Sequence, residues 1–173
     1  MSRRALADAV GFQLTWFACA WGAANDYRWV GIMTAATAVV RYVLLSRQPA
    51  RTVLLILAGG LVGLIAENGL VIADLVRYRP TWLMAGAAPV WIVALWLAFA
   101  TTLRASKELL GEPYTLKAAF LGMILGPLSY MAAERLDALA IPGHAWTNYI
   151  SIALIWGAAF PAFLALRDRL ERQ

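Results

Sequence analysis

The chain is dominated by long apolar runs that are separated only by short polar gaps. A helix needs about 17 to 25 residues to cross the roughly 30 Å of hydrocarbon in a bilayer. We expect spans at about 6–24, 28–45, 52–76, 87–104, 115–136 and 146–166. These spans nearly exhaust the 173 residues. The sequence therefore predicts an all-α, polytopic transmembrane helical bundle of six spans, forming one integral membrane domain over 1–173.

The composition excludes several classes of protein. Hydrophobic residues make up 62% of the chain and charged residues 14%, whereas soluble domains average roughly half and a quarter. The basic residues lie in the gaps between spans, so no continuous stripe exists to bind nucleic acid. With one histidine, His144, and one cysteine, Cys19, the usual zinc and haem ligand sets and an intrachain disulfide are lacking. We expect no metal and no cofactor.

The distribution of Lys and Arg predicts the orientation, because these residues favour cytoplasmic loops. If both termini lie on one side, four of the 15 basic residues fall on the opposite side: Arg28, Arg77, Arg79 and Arg135. The other eleven share the side of the termini, which we expect to be cytoplasmic.

In the first span, Asp8 is expected to be solvated near Arg3 and Arg4, while Gln13 lies deeper.

The aromatic residues fall into two groups by depth. One group lies near outer span ends, where Trp and Tyr anchor helices at the headgroups: Trp21, Tyr27, Trp29, Tyr78, Trp82, Trp146 and Tyr149. The second group lies deeper: Trp16, Trp91, Trp96 and Trp156. These deeper indoles either line a pocket for an acyl or isoprenoid chain or simply pack.

The third span carries two acidic residues, which are costly inside a bilayer. Glu67 and Asp74 are seven residues apart, so a continuous helix places them on nearly the same face. Earlier in the span, Gly60 and Gly63 continue that face, and Gly59 with Gly63 makes a Gly-x-x-x-Gly. Small residues let a neighbouring helix come close. We therefore expect the acidic face to point into the bundle.

The fifth span carries polar residues at depths in the bilayer comparable with those of Glu67 and Asp74. Pro127 should kink or open this helix, and Tyr130 and Glu134 share its face. Together with Asn68 and Ser129, the acidic residues would then form one polar pocket toward the non-cytoplasmic side. Alternatively, Asp74 and Glu134 merely pair at the interface with nearby arginines: Arg77, Arg79 or Arg135.

Unlike Asp74 and Glu134, Glu67 has no candidate arginine partner, because the sequence places no Lys or Arg at its depth in the bilayer. It is therefore protonated, hydrogen-bonded, or facing a wet cavity. Its hydrogen-bonding candidates are Asn68, Tyr130 and a backbone carbonyl freed by Pro127. A desolvated carboxyl is suited to give and take a proton.

Three motifs resemble those of a known family. They are Phe12-Gln13-x-x-Trp16-Phe17, the fourth-span string Pro89-x-Trp91 with Leu95-Trp96-x-x-Phe99-Ala100-x-Thr102-Leu103-x-x-Ser106, and Gly126-Pro127-x-Ser129-Tyr130. Together they resemble a family of small six-span bacterial inner-membrane proteins catalogued as domain of unknown function 2878. The resemblance implies no established activity. It implies a genomic setting that often includes enzymes modifying unsaturated acyl chains, such as cyclopropane-fatty-acid-synthase-like methyltransferases.

The first functional hypothesis is a metal-independent membrane enzyme, or an accessory subunit of one, acting on a lipid or isoprenoid chain by proton transfer. Glu67 would be the acid/base, Tyr130 and Asn68 would hold the reacting group, and Glu134 and Asp74 are further catalytic candidates. Candidate substrate-binding residues are Trp91, Trp96, Ser129 and Gln13. The expected partners are membrane lipid and either a membrane enzyme or a second copy of the chain.

Two other hypotheses remain open. A small transporter would use Glu67, Asp74 and Glu134 along a proton or cation path, although no repeat of three plus three spans is evident. A non-catalytic scaffold would bind lipid without chemistry. A tunnel that opens sideways to lipid favours the enzyme or the scaffold, whereas a continuous water path favours the transporter.

Overall fold

The computed structural model describes residues 1–79, 87–143 and 145–172. Its helices are α1 (Arg3–Ala24), α2 (Arg28–Leu44), α3 (Pro49–Ile72), α4 (Val90–Phe99), α5 (Leu103–Leu110), α6 (Thr115–Arg135) and α7 (Ala145–Arg172). A 3-10 turn, Ala100–Thr102, joins α4 to α5. Two short strands, β1 (Arg77–Tyr78) and β2 (Leu139–Ala140), pair antiparallel. The predicted all-α class is confirmed.

Four helical segments of the described chain are long and apolar enough to cross a membrane: Pro49–Ile72, Val90–Leu110, Thr115–Arg135 and Trp146–Arg172. Trp29–Leu44 is a shorter apolar helix. Local signals explain where two of the helices begin. The Ser2 hydroxyl caps α1 by accepting from the Ala5 N–H at 3.2 Å, and Pro49 occupies the first turn of α3, where its missing N–H costs nothing.

The glycines of α3 allow α4 to approach closely, as the sequence predicted. Gly59, Gly60 and Gly63 are all buried. A Cβ on Gly63 would overlap the ring of Trp96, and one on Gly60 would overlap the side chain of Leu97. The backbone of α4 can therefore lie against α3 only because the glycines have no side chain.

A second glycine contact joins α6 to α7. Cβ atoms on Gly122 and Gly126 would overlap Trp156, at its backbone and its ring respectively.

The helix α6 continues through Pro127, which corrects the expectation of an opened helix. It packs mainly against α7, whereas α1 packs against α2 and α4. Because α1 and α6 make little contact, a cleft remains between them.

Contacts place both termini at one end of the bundle. Ser2 bonds Glu108 at 2.6 Å, Arg4 donates to the Leu45 carbonyl at 3.1 Å, and Lys107 pairs with Asp168 at 2.6 Å. We call this the basic end; it comprises the chain start, residues 45–48 and 111–114, and the last turns of α7. The strand pair lies at the opposite end, where Asn148 of α7 donates to the Leu75 carbonyl.

Asp8 corrects another expectation. Its side chain is buried and pairs with Arg41 of α2 at 2.7 Å, instead of being solvated beside Arg3 and Arg4. A carboxylate on α1 thus meets a cation from the neighbouring helix, which is the arrangement that offsets burial of a charge.

Candidate functional site

The Glu67 side chain lies at the centre of the bundle with no exposed surface. Its Oε1 accepts from the Trp96 indole Nε1 at 2.7 Å and from the Tyr130 hydroxyl at 2.5 Å. Its Oε2 accepts from the Tyr78 hydroxyl. In the part of the chain that the structure describes, no Lys or Arg pairs with this carboxyl. We call Glu67, Tyr78, Trp96 and Tyr130 the Glu67 cage.

The helix contacts explain how the Glu67 cage is assembled. Glu67 lies one turn beyond Gly63, on the same face of α3. Because Trp96 packs over Gly63, its indole N–H reaches the carboxyl one turn further along. Trp96 in turn stacks on Trp156 of α7, with ring centroids 4.4 Å apart. The glycine contact between α3 and α4 therefore also positions the hydrogen bond to Glu67.

Tyr78 reaches Glu67 through the strand pair. Tyr78 faces Leu139 in the β1–β2 register, and its ring packs edge-on against Trp91 at 5.6 Å between centroids. Burial, and then the nearby Glu67 carboxyl, raise the pKa of Tyr78 well above its ordinary value. Tyr78 is thus held as a neutral phenol, which donates its hydrogen bond.

A cavity of about 320 Å³ lies beside the Glu67 cage, between α1 and α6 and above α4 and α7. Its lining is mostly apolar and aromatic: Phe12, Gln13, Trp16, Ala20, Trp91, Ile92, Leu95, Trp96, Phe99, Gly122, Leu125, Gly126, Leu128, Ser129, Tyr130, Ala132, Ala133, Leu139, Trp156 and Phe160. Two lining residues, Leu125 and Leu128, are exposed on the outer surface of the bundle. The cleft therefore reaches the side of the bundle.

Tyr130 and Trp96 belong to both the cavity and the cage. Glu67 itself does not line the cavity, so these two side chains stand between the carboxyl and the cavity. A proton exchanged between Glu67 and a molecule in the cavity would pass through the Tyr130 hydroxyl, which is the only one of these two groups that both donates and accepts.

Polar groups are sparse in this cavity. The Trp156 Nε1 is buried and makes no hydrogen bond within the described residues, although it lies close to the Tyr130 hydroxyl. The Ser129 hydroxyl is engaged by the Gly126 carbonyl at 2.7 Å. Gln13 is exposed on α1 at the rim. The indole N–H of Trp156 is thus a donor that a ligand oxygen could satisfy.

Asp74 and Glu134 do not join Glu67 in one polar pocket, which corrects that expectation. The helix α3 ends at Ile72, and Asp74 follows in a left-handed conformation with φ 53°. Asp74 is therefore exposed, and both its oxygens bind Arg77 at 2.6 Å. The Arg77 pairing holds the pKa of Asp74 below its ordinary value.

Glu134 and Asn68 have separate partners of their own. Glu134 accepts from the Ile141 N–H at 2.8 Å and from the Tyr149 hydroxyl at 2.9 Å, so it fixes the loop after α6 against α7. Asn68 donates to the Leu64 carbonyl and accepts from the Ala88 N–H. Asn68 therefore holds the start of α4 instead of contacting Glu67.

Tyr78 is a partner of Glu67 that the sequence did not predict. Tyr78 lies between Arg77 and Arg79, a setting typical of an interfacial anchor. In a continuous helix, the spacing of eleven residues would place Tyr78 about 16 Å from Glu67 along the axis. Only the turn after α3 brings Tyr78 back to the carboxyl. Two other residues named from the sequence, Trp82 and His144, lie outside the described residues.

No group of three His, Cys, Asp or Glu side chains comes together in the described residues to hold a metal. A family model described as "Protein of unknown function (DUF2878)" matches residues 5–162. No curated protein and no solved structure matches the chain.

Proposed function

This chain belongs to the DUF2878 family of proteins of unknown function, and we propose that it acts by proton transfer on an unsaturated acyl or isoprenoid chain in a bacterial inner membrane. It would work either as a metal-independent enzyme or as an accessory subunit beside a membrane enzyme or a second copy. The ligand would enter from the bilayer through the cleft between α1 and α6.

The proposed topology has six spans and cytoplasmic termini. Four segments are long and apolar enough to cross a membrane, and α1 and α2 pack with them in one bundle. Both termini share the basic end, and the side rich in Lys and Arg is normally cytoplasmic. The strand pair would then face the periplasm.

The observation that carries the proposal is the position of the Tyr130 hydroxyl. It lines an apolar cavity and donates to a fully buried carboxyl that no Lys or Arg of the described residues pairs with. An apolar cavity with few polar groups is typical of a site for a hydrophobic ligand. A base linked to that cavity through a phenol is typical of a proton relay.

The chemistry that fits this relay is the migration of a double bond. Tyr130 would take a proton from an activated allylic carbon and pass its own proton to the Glu67 carboxylate. The same route would return one proton to a different carbon of the ligand. One proton leaves and one returns, so no oxidant or reductant is needed. The Trp156 Nε1, which makes no hydrogen bond within the described residues, would stabilise charge on a ligand carbonyl oxygen during the step.

A non-catalytic lipid-binding scaffold is the second candidate. It is favoured by the complete burial of Glu67 and by its three hydrogen bonds, which satisfy a buried polar group without any chemistry. A proton or cation path through Glu67, Asp74 and Glu134 is less well supported, because the three carboxyls bind different partners in different parts of the fold.

The test is the lipid profile of membranes that contain the wild-type chain, Glu67→Gln, Tyr130→Phe or no protein. We expect the wild type to change the profile of unsaturated chains and both variants to lose that change while still inserting. Tyr149→Phe is the matched control, because it removes a phenol that binds Glu134 instead, and it should behave as wild type.

Other outcomes point elsewhere. Lipid that copurifies with the protein while the profile stays unchanged would support the scaffold. An unchanged profile with proton-coupled flux in vesicles would overturn both candidates in favour of a transporter.

A further inference from the structure

A second cavity, of about 360 Å³, lies at the basic end. Side chains from α1, α2, α3, α5, α7 and the turn before α3 line it: Arg4, Tyr42, Leu45, Ser46, Arg47, Gln48, Arg51, Thr52, Leu55, Arg104, Arg167, Leu170 and Glu171. Among these described residues, five are arginines and one is acidic. We call this space the arginine cavity.

Two of these arginines, Arg104 and Arg167, lie within ion-pair distance of a carboxylate. Arg167 is the more buried of the two, with a side chain 13% exposed. Its Nη2 pairs with Glu171 at 2.7 Å. Its Nη1 is buried and makes no hydrogen bond within the described residues; the Asp168 carboxylate is 3.9 Å away. A buried guanidinium N–H without a partner costs stability unless another group satisfies it.

Arg104 is also incompletely paired. Its Nη1 lies 3.9 Å from Asp8 Oδ2, beyond hydrogen-bonding distance, and that oxygen accepts no hydrogen bond from the part of the chain that the structure describes. The guanidinium lies over the Tyr42 ring, 5.4 Å from its centroid. Two partly buried guanidiniums thus line one cavity, with Glu171 as the acidic residue of its lining.

The remaining lining strengthens the positive potential. Arg51 bonds the Gln48 side chain and Arg4 bonds the Leu45 carbonyl, so neither charge is neutralised by these contacts. The helix α3 begins at this cavity, and the Gln48 side chain does not cap it. The N-terminus of a helix of this length adds a partial positive charge and free N–H groups.

We propose that the arginine cavity binds a phosphate group. Arginine forks match phosphate oxygens in bidentate geometry, and Arg167 Nη1 is a buried donor that has no partner among the described residues. Membrane topology explains basic residues at this end of the bundle, but it does not explain their convergence on one cavity with a buried, unpaired N–H. The phosphate belongs either to the headgroup of a lipid in the adjacent leaflet or to a soluble phosphate ester. This site is independent of the Glu67 cage.

The experiment is native mass spectrometry of the full chain released from detergent micelles, with phosphatidic acid as the lipid probe and diacylglycerol as its phosphate-free match. We expect one phosphatidic acid bound per chain and no comparable binding of diacylglycerol. Inorganic phosphate at millimolar concentration is the soluble probe. Competition by inorganic phosphate would assign a soluble ester as the source, and absence of competition would assign the lipid headgroup.

Paired variants test the location. Arg167→Gln should weaken binding of phosphatidic acid by roughly tenfold or more, the usual effect of losing hydrogen bonds to a charged group. Arg169→Gln removes the same charge two residues along α7 at an exposed position outside the cavity, and it should have little effect. If Arg167→Gln fails to fold, Arg51→Gln replaces it, because the hydrogen bond that Arg51 makes within the described residues is to the exposed Gln48 side chain. Equal losses in the paired variants, or equal binding of diacylglycerol, would overturn the proposal.

Discussion

Replacing Gly63 by alanine should disrupt the Glu67 cage from a position that carries no functional group. The added Cβ would overlap Trp96 at its Cβ, Cγ and Cδ1. These atoms are the root of the side chain, so rotation of the ring cannot relieve the overlap and α4 must move away from α3. Overpacking of this kind costs about 1–3 kcal/mol, and loss of the indole hydrogen bond to Glu67 adds about 1–3 kcal/mol.

Alanine also favours a helix over glycine by about 1 kcal/mol, which partly offsets these costs. We therefore expect Gly63→Ala to lower the free energy of unfolding by about 3 kcal/mol. Gly69→Ala is the control on the same helix, because a Cβ there meets nothing within 4 Å. It should be neutral or stabilising by up to about 1 kcal/mol.

Equilibrium unfolding by dodecyl sulfate titration in mixed micelles would measure both values, and tryptophan fluorescence would report the displaced Trp96. If the two variants unfold within about 0.5 kcal/mol of each other, a gap well below the overpacking cost, the close packing of α4 on α3 at Gly63 is refuted.

Two further predictions concern carboxyl groups. Glu67→Ala should lose about 3–5 kcal/mol of stability because it leaves a cavity and three buried donors unpaired, whereas Glu67→Gln keeps an acceptor for Trp96 and Tyr130 and should lose much less; equal losses in the same titration would contradict this. Arg77 lowers the pKa of Asp74, so this exposed pair stabilises the fold above the ordinary pKa of the carboxyl and loses its contribution as the pH falls through the lowered pKa. In an NMR titration, Arg77→Gln should move the protonation of Asp74 to higher pH. Arg79→Gln is the control, because Arg79 donates to the Ala24 carbonyl, and it should leave the protonation of Asp74 unchanged.

The sequence predicted the features that depend on periodicity and on the cost of burying charge. The helices follow from long apolar runs, the close contact at Gly59, Gly60 and Gly63 follows from small residues, and Glu67 stands out because no cation lies at its depth. Tyr130 was among the three hydrogen-bonding candidates for Glu67, and the structure selects it.

The sequence failed where a side chain's position depends on how the backbone leaves a helix. The seven-residue spacing of Glu67 and Asp74 places them on one face only if the helix continues, and α3 ends at Ile72. The same exit from the helix returns Tyr78 to Glu67, although its flanking arginines favour an interfacial position. Asp8 was expected to be solvated because it lies near Arg3 and Arg4 at the start of its span, whereas its partner in the structure, Arg41, comes from a different helix.

The order of the Glu67 cage along the chain has a consequence for biosynthesis. The helix α3 leaves the ribosome before the helices that carry Trp96 and Tyr130, which lie 29 and 63 residues after Glu67 in the chain. Glu67 must therefore enter the bilayer without these donors, at a cost of a few kcal/mol for a mid-membrane acid. Of the four candidate spans, α3 is the most apolar, which offsets that cost. Tyr78, only 11 residues behind, is the first of the three donors to be synthesised and can shield the carboxyl until the later helices arrive.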